Sequence, residues 1–370
     1  MNQENKFLNI NGSSVYLCVS CHFMRKLTKP QKLSKGDKVA TISLSWGGAG
    51  EFMHRYQQGK TQLQETFELE VVESKNALKS AEYIYKNPKA RAEDLMESFA
   101  DKSIKAIISN IGGDDSIRIL PFLDLKIIEQ NPKIFLGFSD TTISHIACYK
   151  AGLTTFYGTS LLIGFAETGG MHHYQIDDIN KNLFSSKSVG QVLPNTNGWT
   201  NEMLEWGNKE LKNTKRKLTK NTGWNFLQGE TIVEGKLLGG CLDVLEFLKE
   251  TEFGLSLNEW EDKIMFLETS EIMLAPDNFK WIIRNYAAQG IFKKLKGIII
   301  GRPYDNKYTE DYNKILLQVI KDEQGLEKLP IITEMDFGHT CPTFTIPYGV
   351  RAEINCIDKT FSILESGVED

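Results

Sequence analysis

Three residues of complementary chemistry each close an apolar run of the chain. Ser139 lies in FLGFSDTT, Glu268 in KIMFLETS and His339 in FGHT. A serine on a sharp strand-to-helix turn has the setting of a nucleophile, its hydroxyl lifted above a sheet. Gly137 allows close backbone approach there. The amide of Asp140 then stands at a helix start, where it can help hold an oxyanion. The competing reading makes Ser139 or Asp140 an ordinary N-cap. A nucleophilic serine needs a base. Of the six histidines, His54, His172 and His173 lie in polar stretches, and His145 lies on the helix after Ser139. His339 ends a strand between Gly338 and Pro342, which makes it the best base. The base needs an orienting carboxylate. Glu268 closes a buried strand, where an unpaired charge is costly; Glu271 sits further into the loop. GGDDS (112–116) follows another apolar run. Its amides suit either an anion-binding nest or a tight turn that caps the next helix.

The elements that must position these residues follow a regular rhythm from Lys38 onward. VATISLS, ELEVVES, IKAIISNI, KIFLGFS and TTFYG read as strands. Helical stretches separate them, among them 51–65, 90–103 and 141–152. Such alternation predicts βαβ units and a parallel sheet with helices on both faces, with function at the carboxyl ends of the strands. Residues 186–228 interrupt it. They are polar, carry Trp199, Trp206 and Trp224, and read as a linker or lid. A second unit follows from Gly229: strand, Gly turn and helix, the strand ending in Glu268, a helix over 277–295, the strand KGIIIGRP, a helix closed by Gly325, and the strand into FGHT. The tail alternates like antiparallel strands. The division expected is therefore an extension over 1–23, an α/β domain over 24–185 with the nucleophile, the insert over 186–228, and a smaller domain over 229–370 with the glutamate and histidine.

Composition narrows the function. The 370 residues carry 25% charged and 41% hydrophobic residues and a net charge of −5, ordinary for a globular protein. No basic block of nucleic-acid type is present, and no run approaches the roughly 18 apolar residues of a membrane helix. Six scattered cysteines are no disulfide framework, and the first residues make a poor signal peptide; a cytoplasmic protein is expected. Cys18, Cys21 and His22 have the C-x-x-C-H spacing of haem attachment, but without an export signal they read as a chance match. No Walker loop, G-x-G-x-x-G or H-E-x-x-H occurs, so neither metal nor cofactor is expected.

KGDKVATISLS, SNIGGDDSIRILPFLD, PKIFLGFSDTT, GKLLGGCLDVL, IMFLETSE and FGHT, in that order, resemble the serine peptidase family that contains the LD-carboxypeptidases and the microcin C immunity peptidases. The likeness spans about 24–360. It implies Ser139 as nucleophile, Glu268 and His339 as its triad partners, and the amides of Gly113 and Asp140 as the oxyanion hole. It also implies a flavodoxin-like N-terminal sheet and a homodimer without metal. GGDDS, FSDTT, TFYGTSLLIGFAETGGMHHY and WTNEMLEW look more like the immunity branch. That branch cuts the amide between an aspartyl residue and a nucleotide-like sulfamate or phosphoramidate. The carboxypeptidase branch releases terminal D-alanine from a muropeptide tetrapeptide. Asp114 and Trp199 are the candidate substrate contacts, Trp199 by stacking on adenine. Cys241 departs from the family's pattern, which often has asparagine there. A non-catalytic binding protein on the same sheet is the alternative of another class.

Overall fold

The computed structural model describes residues 27–370. Cys18, Cys21, His22 and the expected extension over 1–23 lie outside the described residues.

Among the described residues, fourteen strands form two sheets. The chain runs through β1 (Lys38–Ile42), β2 (Glu70–Glu73), β3 (Ile104–Ser109), β4 (Ile134–Gly137) and β5 (Phe156–Tyr157). It continues through β6 (Gly190–Val192), β7 (Asn225–Gln228), β8 (Ile232–Cys241), β9 (Lys263–Glu268) and β10 (Gly297–Gly301). It closes with β11 (Ile331–Met335), β12 (Ile346–Pro347), β13 (Arg351–Asn355) and β14 (Thr360–Ile363). The first sheet is ordered β12-β5-β4-β3-β1-β2. Its five N-terminal strands are parallel, in the doubly wound flavodoxin order. β4 is buried along its whole length, as expected of a parallel strand covered on both faces.

The second sheet is the wider one, ordered β6-β14-β13-β8-β9-β10-β11-β7. β8 to β11 run parallel, and antiparallel strands flank them on both sides. Two expectations change here. The stretch 186–228 does not stand apart: its ends are β6, paired with β14, and β7, paired with β11. And β12, far down the chain, pairs with β5 of the first sheet, so the second half contributes a strand to the first sheet. The helix expected over 277–295 ends at Ala288, because Gly290 turns left-handed at φ +77°.

The two halves also share a core. Phe138, Ile143 and Ile146 pack in one buried cluster with Leu238, Met265 and Phe266. Asp178, on the helix His173–Leu183, accepts the backbone N–H of Thr345 at 2.8 Å. The carboxyl ends of β4, β9 and β11 are thereby brought together.

Candidate active site

The first side of the site is a strained turn. β4 leads through Phe138 into Ser139, whose φ is +62°. A side chain in that left-handed conformation costs of order 1 kcal/mol and persists only where its surroundings impose it. They do so here. Ser139 N–H donates to the Tyr157 hydroxyl at 2.9 Å, and Ser139 C=O accepts from Thr142 Oγ1 at 2.7 Å. A Cβ at Gly112 would stand 2.9 Å from Ser139 Cβ and 3.0 Å from its Oγ, so the Gly112–Gly113 peptide lies against the serine only because no side chain intervenes. The N-cap reading of Ser139 is not what the geometry shows. Its side chain caps no helix. Asp140 does cap, but across the loop: its Oδ2 accepts the N–H groups of Asp115 at 3.1 Å and Ser116 at 2.8 Å. The GGDDS loop is thus tied to the turn, with Gly113 at φ +144° and Asp114 exposed at the rim. Thr142 Oγ1 also accepts the N–H of Cys241 at 3.1 Å, and Cys241 is fully buried between the halves.

The second side is a line of hydrogen bonds. His339 Nε2 lies 2.9 Å from Ser139 Oγ, and His339 Nδ1 lies 2.6 Å from Glu268 Oε2. The other carboxylate oxygen of Glu268 accepts from the Tyr157 hydroxyl at 2.5 Å. Both oxygens of this buried carboxylate are therefore satisfied. Gly338, at φ +93°, makes room: a Cβ there would stand 2.7 Å from Glu268 Cβ. Tyr157 joins the backbone of Ser139 to the carboxylate that faces His339, and the sequence offered no sign of this beyond an aromatic in a short strand. A second carboxylate also reaches the imidazole, with Glu271 Oε2 at 3.0 Å from Nε2. Burial works against charging His339, but Glu268 and Glu271 outweigh it and raise its pKa to about 10. Glu271 is lowered to about 2, chiefly by its hydrogen bond with His339. His145 takes no part. It is buried beneath the turn, its ring nitrogens 2.8 Å from Thr155 Oγ1 and 3.0 Å from Gly137 O, and burial lowers it to about 3.

The segment between β6 and β7 is anchored to the histidine's strand. Asp336 Oδ2 accepts from Asn195 N–H at 3.0 Å and from Trp224 Nε1 at 2.8 Å; Oδ1 accepts from Asn221 Nδ2 at 2.9 Å and Arg302 Nη2 at 3.3 Å. Trp199 belongs to the same packed region. It is 6% exposed, with the Arg302 guanidinium 5.1 Å from its ring centre. Trp199, the residue expected to stack on adenine, has its ring packed here under the Arg302 guanidinium. Trp206 is the tryptophan of the insert that meets the first sheet's loops. It stacks on Trp46 at 6.2 Å and packs edge-on against Phe52, with Arg55 4.4 Å from its ring. Trp46 N–H donates to Gly112 O, which places this aromatic pair beside the glycine loop. Further along, Arg216 forms a bidentate pair with the buried Glu167. A cavity of about 330 Å³ opens there, with Lys215, His172 and His173 in its lining.

A hydroxyl on a strained turn, an imidazole and a buried carboxylate in one hydrogen-bonded line are the parts of a serine hydrolase. Residues 39–158 match the LD-carboxypeptidase N-terminal domain and residues 234–354 the LD-carboxypeptidase C-terminal domain. The chain belongs to this family of serine peptidases, the S66 peptidases. It is 29% identical over 353 residues to a putative carboxypeptidase of Vibrio cholerae, covering 91% of this chain and 98% of that one. It is also 29% identical over 351 residues to the microcin C7 self-immunity protein MccF of Escherichia coli, covering 90% and 94%. Among solved structures, an MccF-like protein from Streptococcus pneumoniae in complex with AMP superposes with a TM-score of 0.81 at 32% identity, covering 88% of this chain and 98% of that one. MccF has itself been solved with aspartyl sulfamoyl adenosine, with a TM-score of 0.79 to this chain at 27% identity and coverage of 92% and 100%. Among the described residues, no helix is long and apolar enough to cross a membrane.

Proposed function

We propose that this enzyme cleaves the amide bond between an aspartyl-type acyl group and a nucleotide-like moiety, as a microcin C immunity-like peptidase. The observation that carries the chemistry is the pair of bonds on His339, one to Ser139 and one to Glu268. His339 takes the Ser139 proton as Ser139 attacks the scissile carbonyl. The N–H groups of Gly113 and Asp140 hold the oxyanion, and His339 then protonates the leaving amine. Water releases the acyl-enzyme. Glu268 holds the ring in the tautomer that presents Nε2 to the serine and stabilises its charged form. The Trp46–Trp206 pair supports a nucleobase-bearing leaving group, because a flat aromatic surface beside the glycine loop suits stacking. Asp114 stands at the rim as a polar contact for that substrate. The second reading, a muropeptide LD-carboxypeptidase, draws on the family's description and on the carboxypeptidase relative.

One hydrolysis assay separates them. Aspartyl-sulfamoyl adenosine and a muropeptide tetrapeptide are offered side by side, with Ser139→Ala as control. Cleavage of the adenosine compound alone, lost in Ser139→Ala, is the expected result. Release of D-alanine alone turns the assignment to the wall-recycling branch. A rate retained in Ser139→Ala removes the triad.

A further inference from the structure

The segment between β6 and β7 passes over the first half beside the cavity of about 330 Å³. That volume falls at the lower end of small-molecule sites. One wall runs from Glu167 to Tyr174 and leads into the helix His173–Leu183. The other is the stretch of the segment that carries Lys215 and Arg216. The two walls touch. Gly169 N–H donates to Lys212 O at 2.9 Å, and a Cβ at Gly169 would stand 2.6 Å from Lys215 Cγ.

The charge of this lining does not balance. Among the described residues its one carboxylate is the buried Glu167, which the bidentate Arg216 takes up. His172 Nε2 lies 3.8 Å from the same carboxylate. Lys215 lines the cavity and forms no ion pair among the described residues. Asp178 and Asp336, the carboxylates that act on Tyr174 in the same wall, are held by the N–H groups of Thr345 and Asn195. One ammonium group is left over.

Hydrogen-bonding capacity is left over as well. No side chain caps the eleven-residue helix His173–Leu183. The N–H groups of Gln175 and Ile176 turn back to His172 O. Those of His173 and Tyr174, both residues of the cavity wall, have no partner among the described residues. Such a helix start carries partial positive charge and attracts anions. A separate observation points the same way. Thr168 Oγ1 and His172 Nε2, both buried atoms of residues in the wall, have no hydrogen-bond partner, and Thr168 is only 7% exposed. A buried polar atom without a partner is costly, and a ligand in the cavity can supply the partner. An unpaired ammonium, an open helix start and an orphaned hydroxyl together suit an oxyanion.

We propose that this cavity is a binding site for a small molecule bearing a phosphate or carboxylate group. The anion is held by Lys215, the Thr168 hydroxyl and the N–H groups of His173 and Tyr174, and it fastens the segment between β6 and β7 to the first half. In the free protein that fastening is the Arg216–Glu167 pair; the anion adds Lys215 to it.

The test titrates the full chain with inorganic phosphate and, separately, with acetate, at an ionic strength fixed with sodium chloride. Binding is read as the rise in melting temperature with anion concentration. Trypsin cleavage of wild type at the lysines between 209 and 220 is followed in parallel. A saturable rise is expected with at least one anion. Phosphate alone marks a phosphate ester as the ligand class, and acetate alone marks a carboxylate. Lys215→Glu, a change at an exposed side chain, is expected to weaken that binding by roughly tenfold or more. Thr168→Val removes a hydroxyl without a partner, so its melting temperature without anion is expected to stay level or rise, while its affinity falls severalfold. Cleavage is expected to slow as the anion binds. The absence of a saturable rise with either anion overturns the site, and so does equal affinity in wild type and Lys215→Glu. Binding that leaves cleavage unchanged overturns the fastening.

Discussion

Ser139 leaves the first sheet on a left-handed residue backed by a glycine, whereas Glu268 and His339 leave the second sheet inside a web of side-chain bonds. On the first side the constraint is backbone: φ +62° at Ser139, contact with Gly112, and main-chain bonds to Tyr157 and Thr142. On the second it is side chain to side chain, from Tyr157 to Glu268 to His339 and from Arg302 to Asp336 to Trp224. Backbone strain aims one atom and survives most neighbouring changes. A buried polar network fails when a single member is lost.

The largest expected effect separates strain from chemistry. Ser139→Gly relieves the positive φ and removes the proposed nucleophile. Turnover falls by ~10⁴-fold or more, while stability rises by about 1 kcal/mol, which a thermal melt reads as a gain of a few degrees. A melt that falls instead breaks the strain half of the comparison. Next is Asp336→Ala, which leaves the buried Arg302 with only its longer carboxylate contact, to Glu334 at 3.8 Å. Urea denaturation is expected to show a loss of roughly 3–5 kcal/mol. A loss under 1 kcal/mol breaks the network half. Tyr157→Phe touches both sides at once, removing the acceptor of Ser139 N–H and a donor to Glu268. A fall of about 10–100-fold in kcat at little change in KM is expected, in line with other second-layer partners; a normal kcat means the hydroxyl is dispensable.

The smallest effect concerns the bond between the halves. Burial raises Asp178 to about 7, against the hydrogen bonds from Thr345. A carboxyl raised on folding binds more protons folded than unfolded, so its contribution falls as pH climbs from about 4 to 7. Across that window wild type is expected to lose on the order of 2 kcal/mol relative to Asp178→Asn, read from denaturant midpoints. Parallel curves for the two proteins mean that this bond is not titrating.

Much of this was readable from residue order alone. Five apolar runs separated by helical stretches required a parallel sheet, because a strand buried on both faces needs crossovers to cover it. Ser139, Glu268 and His339 each showed themselves by ending such a run. The insert was the weak point. β6 and β7 are three and four residues long, too short and too polar to show an alternation. Without periodicity, nothing distinguished the buried Trp199 from Trp206 against Trp46. Tyr157 looked like any aromatic in a short strand, because its two bonds run to β9 and to the turn after β4.

By itself, then, the sequence determined the alternating elements and the three residues that close their strands, since hydrophobic period and turn chemistry act over a few residues and leave a local trace. Only the tertiary structure decided that Ser139 and His339 meet across 200 positions and that Tyr157 joins them to Glu268. Those contacts depend on how two sheets with a shared core set their strand ends face to face, and no local pattern of residues encodes that packing.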